Sequence, residues 1–480
     1  MSNLIETLQM GDTKTTNGMT TNSTTLNECV NLFFTIGAMR GSKKNSVLRL
    51  FSKAFVEDPL TATKILFWVR DVRGGAGERQ IFRDIINYLG ETQPELVKKN
   101  IHLIPEYGRW DDLFGLMNTP VENNVINLIV DSLNNNEVNS LLAKWLPRKG
   151  VVFNRLRKTL NLKPKELRKM LVGLSNSVEQ KMCAKEWETI EYSKVPSLAI
   201  SRYNVAFTRN DETRYLGYLD SLKNGETKVN VGAVYPYDII KTLKRGKEAT
   251  LANEQWNSLP NFMEGCDELI LPMVDVSASM GCSVGGNPNL TCMDVAISLG
   301  MYISERNEGD FKDMFMTFSS NPQIQKLMGT LEQRYRQLSR AEWGMSTNLE
   351  MAFKTLLNQA IKFDIPQEGM PSKVLILSDM EFDSATSESW NTEPTWDPTA
   401  MSMIDDLYTD AGYTRPGIIF WNLNASDKNF PVRFNDEGVA LISGFSPSIL
   451  KSLLSNPNSL TPINIMLETI NNERYSNITV

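Results

Sequence analysis

Histidine is almost missing from these 480 residues: there is one, His102. A Ser/His/Asp triad, a Cys/His pair or a histidine-rich metal centre would have to form around it. Its setting, "NIHLIPEYGRWDDLF", is an apolar helical pattern without a nucleophile motif. His102 is expected as a packed structural residue. Cysteine is scarce too. Cys29, Cys183, Cys266, Cys282 and Cys292 are an odd, scattered set with no CxxC spacing, which argues against a disulfide framework or a zinc site and leaves reduced thiols. No apolar run approaches the roughly 18 residues of a membrane span, and the first residues lack the basic and apolar regions of a secretory signal. A cytoplasmic protein without membrane association is expected, in a virion or host cytoplasm if viral. An excess of positive charge is also absent: the net charge is −6, which gives no long-range attraction to a polyanion and no reason to expect DNA specificity.

What is present divides the chain. Residues 1–24 are rich in Thr, Asn and Gly and read as a disordered tail. Residues 25–245 carry apolar residues at three and four spacing, as in "SVLRLFSKAFVEDPLTATKILFWVRDV", broken by Pro, Gly and Asn. Paired helices stacked in a curved, HEAT-like array fit this pattern. After a connector at 246–267, strand-like runs such as "ELILPMVDVS" and "KVLILSDMEF" alternate with amphipathic helices over 268–460. The class is α followed by α/β, the second part a doubly wound, mostly parallel sheet. Residues 461–480 are apolar enough to need a surface and are expected to pack back on the helical part.

Oxygen ligands gather where those strands end. Asp275, Ser277 and Ser279 form DxSxS after the first strand, Thr347 precedes a helix in "WGMSTNLEMAF", and Asp379 ends another strand. Carboxylates and hydroxyls are ligands for a hard cation, and Mg²⁺ or another divalent ion suits such a set, with Asp379 acting through water. Each residue alone also fits a capping or turn role. No nucleophile and base pair up, and the set lacks the acidic cluster of two-metal phosphoryl chemistry, so no enzyme activity is expected.

From Leu269 to about Phe445 the chain resembles a von Willebrand factor A domain, and "DVSAS", Thr347 and Asp379 match its metal-ion-dependent adhesion site. The resemblance implies a cation that binds an acidic group of a partner protein. The helical part, through "VRDVRGGAGERQIFRDIINYL", "LIPEYGRWDDLF", "LLAKWLPRKG" and "VPSLAISRYNVAFTRND", is similar to the TROVE module of the Ro ribonucleoprotein family, and closer to a related group of plants and large DNA viruses. That resemblance implies a helical ring joined by the A domain, binding structured RNA on its outer surface and single-stranded ends in its hole.

Charge along the chain bears on RNA. Between Leu141 and Leu171 lie Lys144, Arg148, Lys149, Arg155, Arg157, Lys158, Lys163, Lys165, Arg168 and Lys169 against the single acid Glu166, a local +9. Phosphate is a partner for such a surface, although solvated helix faces also collect cations. Arg70, Arg73, Arg79 and Arg83 surround a Gly-rich turn and either meet phosphates or form ion pairs between helices. Arg109, Trp110, Asp111 and Asp112 read as structural. Two functions follow: a Ro-type RNA-binding ring with a magnesium-dependent adhesion site, or a protein-assembly component, for example virion-associated, that uses the cation without RNA.

Overall fold

A computed structural model describes residues 13–135, 139–231, 234–244, 249–318, 321–340, 348–383, 400–425, 429–454 and 460–480. Helices fill the first part, and the reasons are local. Pro59–Arg70 starts on Asp58, whose carboxylate accepts the free N–H groups of Leu60 and Thr61, with proline at the first helical position where no donor is lost. In Gln80–Thr92 the residues Ile81, Phe82, Ile85, Ile86 and Leu89 fall on one face and are buried, the spacing of an amphipathic helix. Many of these helices pack on a neighbour in sequence: Glu28–Ile36 on Lys44–Glu57, Lys44–Glu57 on Pro59–Arg70, Ser197–Asn210 on Glu212–Lys223, and Pro236–Lys244 on Ala249–Asn257. No helix among the described residues is long and apolar enough to cross a membrane.

A hairpin of β1 (Thr13–Lys14) and β2 (Thr20–Thr21) comes before those helices. The second part is a six-stranded sheet of β3 (Ile270–Asp275), β4 (Met314–Phe318), β5 (Ile324–Lys326), β6 (Lys373–Ser378), β7 (Gly417–Asn422) and β8 (Val439–Ser443). Its order is β5-β4-β3-β6-β7-β8, parallel except for β5 at one edge. The chain leaves β3 toward β4 and later returns to the other side of β3 as β6. Right-handed crossovers in opposite directions put their connections on opposite faces, and a crevice opens where the order reverses, at the carboxyl ends of β3 and β6. The helix Cys292–Arg306 covers β3 closely because Gly300 has no side chain: a Cβ there would lie 2.5 Å from Val274 Cγ2.

The helical array returns to meet its own start. Tyr235 Oη donates to the Val72 carbonyl at 3.4 Å, and Arg40 Nη1 donates to Tyr237 Oη at 3.4 Å. Both ends also dock on the sheet domain. Ser443 Oγ at the end of β8 donates to the Phe33 carbonyl at 2.7 Å and accepts from Gly37 N at 3.0 Å. At the far end, Lys244 holds Asp294 at 2.9 Å and Trp256 Nε1 donates to Glu305 at 2.9 Å. The helix Pro462–Ile470 and the turn Glu473–Tyr475 lie against Pro59–Arg70, with Asn100 bonded to Thr479. The path is a closed loop of helices with the sheet domain at its seam.

Two expectations need correction. Residues 13–24, read as loose, are ordered: Thr21 and Asn22 are buried, and Asn22 exchanges backbone hydrogen bonds with Phe430 at 3.1 and 3.0 Å. Partners more than 350 residues away supply the order that local composition does not. Residues 1–12 lie outside the described part. His102 is exposed instead of packed: it stands on a 3-10 turn whose neighbours Ile101 and Leu103 turn inward.

Candidate functional site

The register of the central strands makes the site. Val274 of β3 pairs with Leu377 of β6, so the next residue of each, Asp275 and Ser378, meet at the carboxyl edge. Ser378 Oγ donates to Asp275 Oδ2 at 2.6 Å, and the backbone N–H of Ser277 donates to Asp275 Oδ1 at 2.9 Å. Beyond Asp275 the chain turns, and Ser277 Oγ lies 3.0 Å from Ser279 Oγ. Beyond Ser378, Met380 adopts a left-handed backbone with φ of 66°, and the turn lets Glu381 N reach Asp379 Oδ1 at 3.3 Å. A non-glycine residue held there is a strained turn of the kind found at ligand sites.

Asp275 is fully buried and Asp379 nearly so. Burial, and then the charge of Asp379, pushes the Asp275 carboxyl up to about 7, against hydrogen bonds from Ser277 and Ser378. Burial also raises Asp379, opposed by the hydroxyl of Ser279. Two carboxylates and two hydroxyls thus share one corner, and no ion pair to either carboxylate is found among the described residues. A divalent cation would suit this donor set, since it would supply positive charge to two buried carboxylates. Among the described residues no group of three or more His, Cys, Asp or Glu could hold a metal ion.

Asp275, Ser277, Ser279 and Asp379 come together, while Thr347 lies outside the described residues. The next residue, Asn348, caps the helix Leu349–Lys362 by accepting from Met351 N at 2.8 Å. Sequence reasoning missed Ser378, although it stands in the quoted "KVLILSDMEF"; its role follows from the register. It also missed the neighbouring hairpin. Thr16 N donates to Glu381 Oε2 at 2.7 Å, Thr15 Oγ1 donates to the Phe382 carbonyl at 2.5 Å, and Asn429 holds the other oxygen of Glu381 at 2.8 Å.

The basic segment is less free than its sequence. Lys144 pairs with Glu179 at 3.1 Å and Arg155 with Glu122 at 2.9 Å. Arg148 donates to the carbonyls of Ala143 and Leu146 that end the helix Asn139–Trp145, and Arg157 is half-buried. Arg168 lies over the Phe153 ring at 5.2 Å. Lys149, Lys158, Lys163, Lys165 and Lys169 are exposed, and Glu166 is turned to cap its own helix by accepting from Lys163 N at 2.7 Å.

The arginines near the Gly-rich turn split in two. Arg70 and Asp112 are both buried, 2.7 Å apart; Arg83 bridges Asp112 and Asp111 at 2.7 and 2.9 Å, and Arg109 joins Asp111 at 2.7 Å. This is a brace between helices, with the Arg109 guanidinium stacked 3.9 Å over the Trp145 ring. Arg73 and Arg79 remain at the rim, exposed.

Comparison with known families finds two matches along the chain. Residues 15–140 and 122–266 match a domain of unknown function, DUF2828. The chain belongs to the DUF2828 family. Residues 270–474 match a second domain of unknown function, DUF7788, so the DUF2828 region ends just before β3. Uncharacterized protein L728 of Acanthamoeba polyphaga mimivirus is 30% identical over 95% of this chain and 86% of its own length. Among solved structures, the Ro (RSR) protein of Deinococcus radiodurans is similar at 14% identity, covering 92% of this chain and 99% of that one, with a TM-score of 0.44.

Proposed function

We propose that this DUF2828 protein is a non-enzymatic, Ro-type RNA-binding ring whose sheet domain, of von Willebrand A type, offers a divalent cation to an acidic group on a partner protein. The observation that carries the reading is the meeting of Asp275, Ser277, Ser279 and Asp379 at the switch point of the sheet. Asp275, Ser277 and Ser279 would hold the ion, Asp379 would act through water, and Thr347 would complete the set. Once bound, the ion would supply a position open to a partner's carboxylate. Ser378 and the Ser277 N–H fix the Asp275 carboxylate, and the left-handed turn at Met380 aims Asp379.

RNA would lie on the lysines that point to solvent, Lys149, Lys158, Lys163, Lys165 and Lys169, with Arg168 beside them. Lys144, Arg148, Arg155 and Arg157 would support that surface instead of touching phosphate, since each is engaged or half-buried. A gel-shift series across salt tests the RNA half of the proposal: binding at about 50 mM salt that weakens steeply with added salt is expected from several phosphate contacts. No shift of structured or single-stranded RNA, together with a protein complex lost on Asp275→Ala, would favour the assembly function over RNA.

A further inference from the structure

We propose that Cys282 and Cys292 are a modification site: a reversible disulfide that clamps the loop carrying Ser279. Both are free thiols, and their sulfurs are 3.1 Å apart. The backbone sets up the pairing. Ser283 and Thr291 form an antiparallel bridge, and Cys292 N donates to the Cys282 carbonyl at 3.1 Å, so the two cysteines stand directly opposite each other. Opposed residues of this kind have Cα atoms about 5.5 Å apart, inside the range a disulfide spans. Closure needs the sulfurs to approach by about 1 Å, a side-chain movement without a new backbone path.

The two thiols differ in access, which orders the chemistry. Cys282 is partly exposed, whereas Cys292 is buried at the first position of the helix Cys292–Arg306, its sulfur 3.6 Å from the Leu423 carbonyl. A peroxide meets Cys282 first. The Cys282 sulfur attacks one peroxide oxygen, the O–O bond breaks, and water leaves as a sulfenic acid forms. The Cys292 sulfur then attacks Cys282, the S–S bond forms, the S–O bond breaks, and the Cys292 proton departs in a second water. Two thiols and one peroxide become a disulfide and two waters; a dithiol reductant returns both thiols by exchange.

The consequence for the neighbouring site rests on the cation reading above. Cys282 N donates to the Ser279 carbonyl at 3.2 Å, so a crosslink ties the hydroxyl ligands of that loop to the start of the helix over β3. The disulfide itself needs no metal.

The test uses the full reduced chain. After treatment with hydrogen peroxide, blocking of remaining thiols with iodoacetamide and digestion without reductant, accessible thiols in the unfolded chain should fall from five to three. The fragment holding Cys282 and Cys292 should lack two hydrogens and carry no alkyl group, and dithiothreitol should restore both sites. Cys292→Ser should leave a sulfenic acid on Cys282 that dimedone traps. Alkylation of both cysteines in a chain whose other thiols have oxidised, or a crosslink from either to Cys29, Cys183 or Cys266, would overturn the proposal. The wild-type measurement decides even where the variant does not fold. A crosslink that forms in a chain binding no Mn²⁺ in either state would refute the cation reading and support the disulfide.

Discussion

The hydroxyl of Tyr475 donates a 3.0 Å hydrogen bond to the buried Asp71 carboxylate, and Arg474 grips the same carboxylate with two of its nitrogens. The turn Glu473–Tyr475 is thereby fastened to the end of the helix Pro59–Arg70. The Tyr107 ring, stacked on Tyr475 at 5.6 Å, seals the contact.

Removing Asp71 should therefore loosen the whole closure. Asp71→Ala leaves a partly buried guanidinium and a phenol without their acceptor, a loss of about 2–4 kcal/mol. Denaturant melts should register it, and limited proteolysis should release residues 461–480 first. A variant as stable and protease-resistant as the wild type would show that the last helix does not depend on this contact.

The proposed cation site gives a binding prediction with little structural cost. Asp275→Asn should abolish binding of Mn²⁺ while keeping the hydrogen bonds from Ser378 and Ser277 N–H in part, and the melting temperature without metal should stay level or rise, since a buried carboxylate facing Asp379 is removed. Calorimetric titration of both chains checks it, with Asp379→Asn expected to weaken binding less than Asp275→Asn.

For RNA, the residues to change are the exposed lysines. Reversing Lys149, Lys158, Lys165 and Lys169 to Glu should leave folding intact and remove binding, and each lost contact should lower the salt slope by about 0.7 for single strands. Reversing Arg155 instead breaks a half-exposed 2.9 Å pair with Glu122 and should cost about 1 kcal/mol of stability while leaving most of the binding. Circular dichroism and gel shifts on both chains separate the two effects.

Stability should also depend on pH through Asp238, which opens the helix Pro236–Lys244 and accepts from Tyr235 N at 3.3 Å. Burial raises its carboxyl from 3.8 to about 6, against that hydrogen bond and the charges of Arg40 and Lys241. The folded chain holds the proton more tightly than the unfolded one, so this contribution is complete below the unfolded value and fades as pH rises through about 6. Asp238→Asn should flatten the stability profile over that window and gain roughly 1–2 kcal/mol relative to wild type at neutral pH.

Breaking the buried pair of Arg70 and Asp112 should be costly. Asp112→Ala strands a guanidinium with 1% exposure and should destabilise by about 3–5 kcal/mol, while replacing both residues by apolar ones of similar volume should cost much less. A double-mutant cycle by denaturant unfolding measures the difference.

Much of this was written locally. The i, i+4 spacing of Ile81, Ile85 and Leu89 specifies a helix, and the runs of β3 and β6 are apolar enough to be buried on both faces, so the alternation of strands and helices announces a parallel sheet. Because residues just past such strands line the crevice at the sheet's edge, the meeting of Asp275, Ser277, Ser279 and Asp379 at one corner could be anticipated from strand order. The hairpin at Thr13–Thr21 could not be read, since Met19 is its one apolar side chain and only distant segments bury it; the hairpin's partners are Glu381, Phe382 and Phe430. Nor could the sequence say which cations of the basic segment are engaged, because Glu122 and Glu179 lie outside that segment and approach only through helix packing. Periodicity and strand ends are properties of neighbours along the chain, and the sequence determined them. The pairing of Ser378 with Asp275 and of Asp71 with Tyr475 depends on strand register and on the chain's end docking on the helices, which only the tertiary structure decides, because those contacts form between segments that packing, and no local preference, brings together.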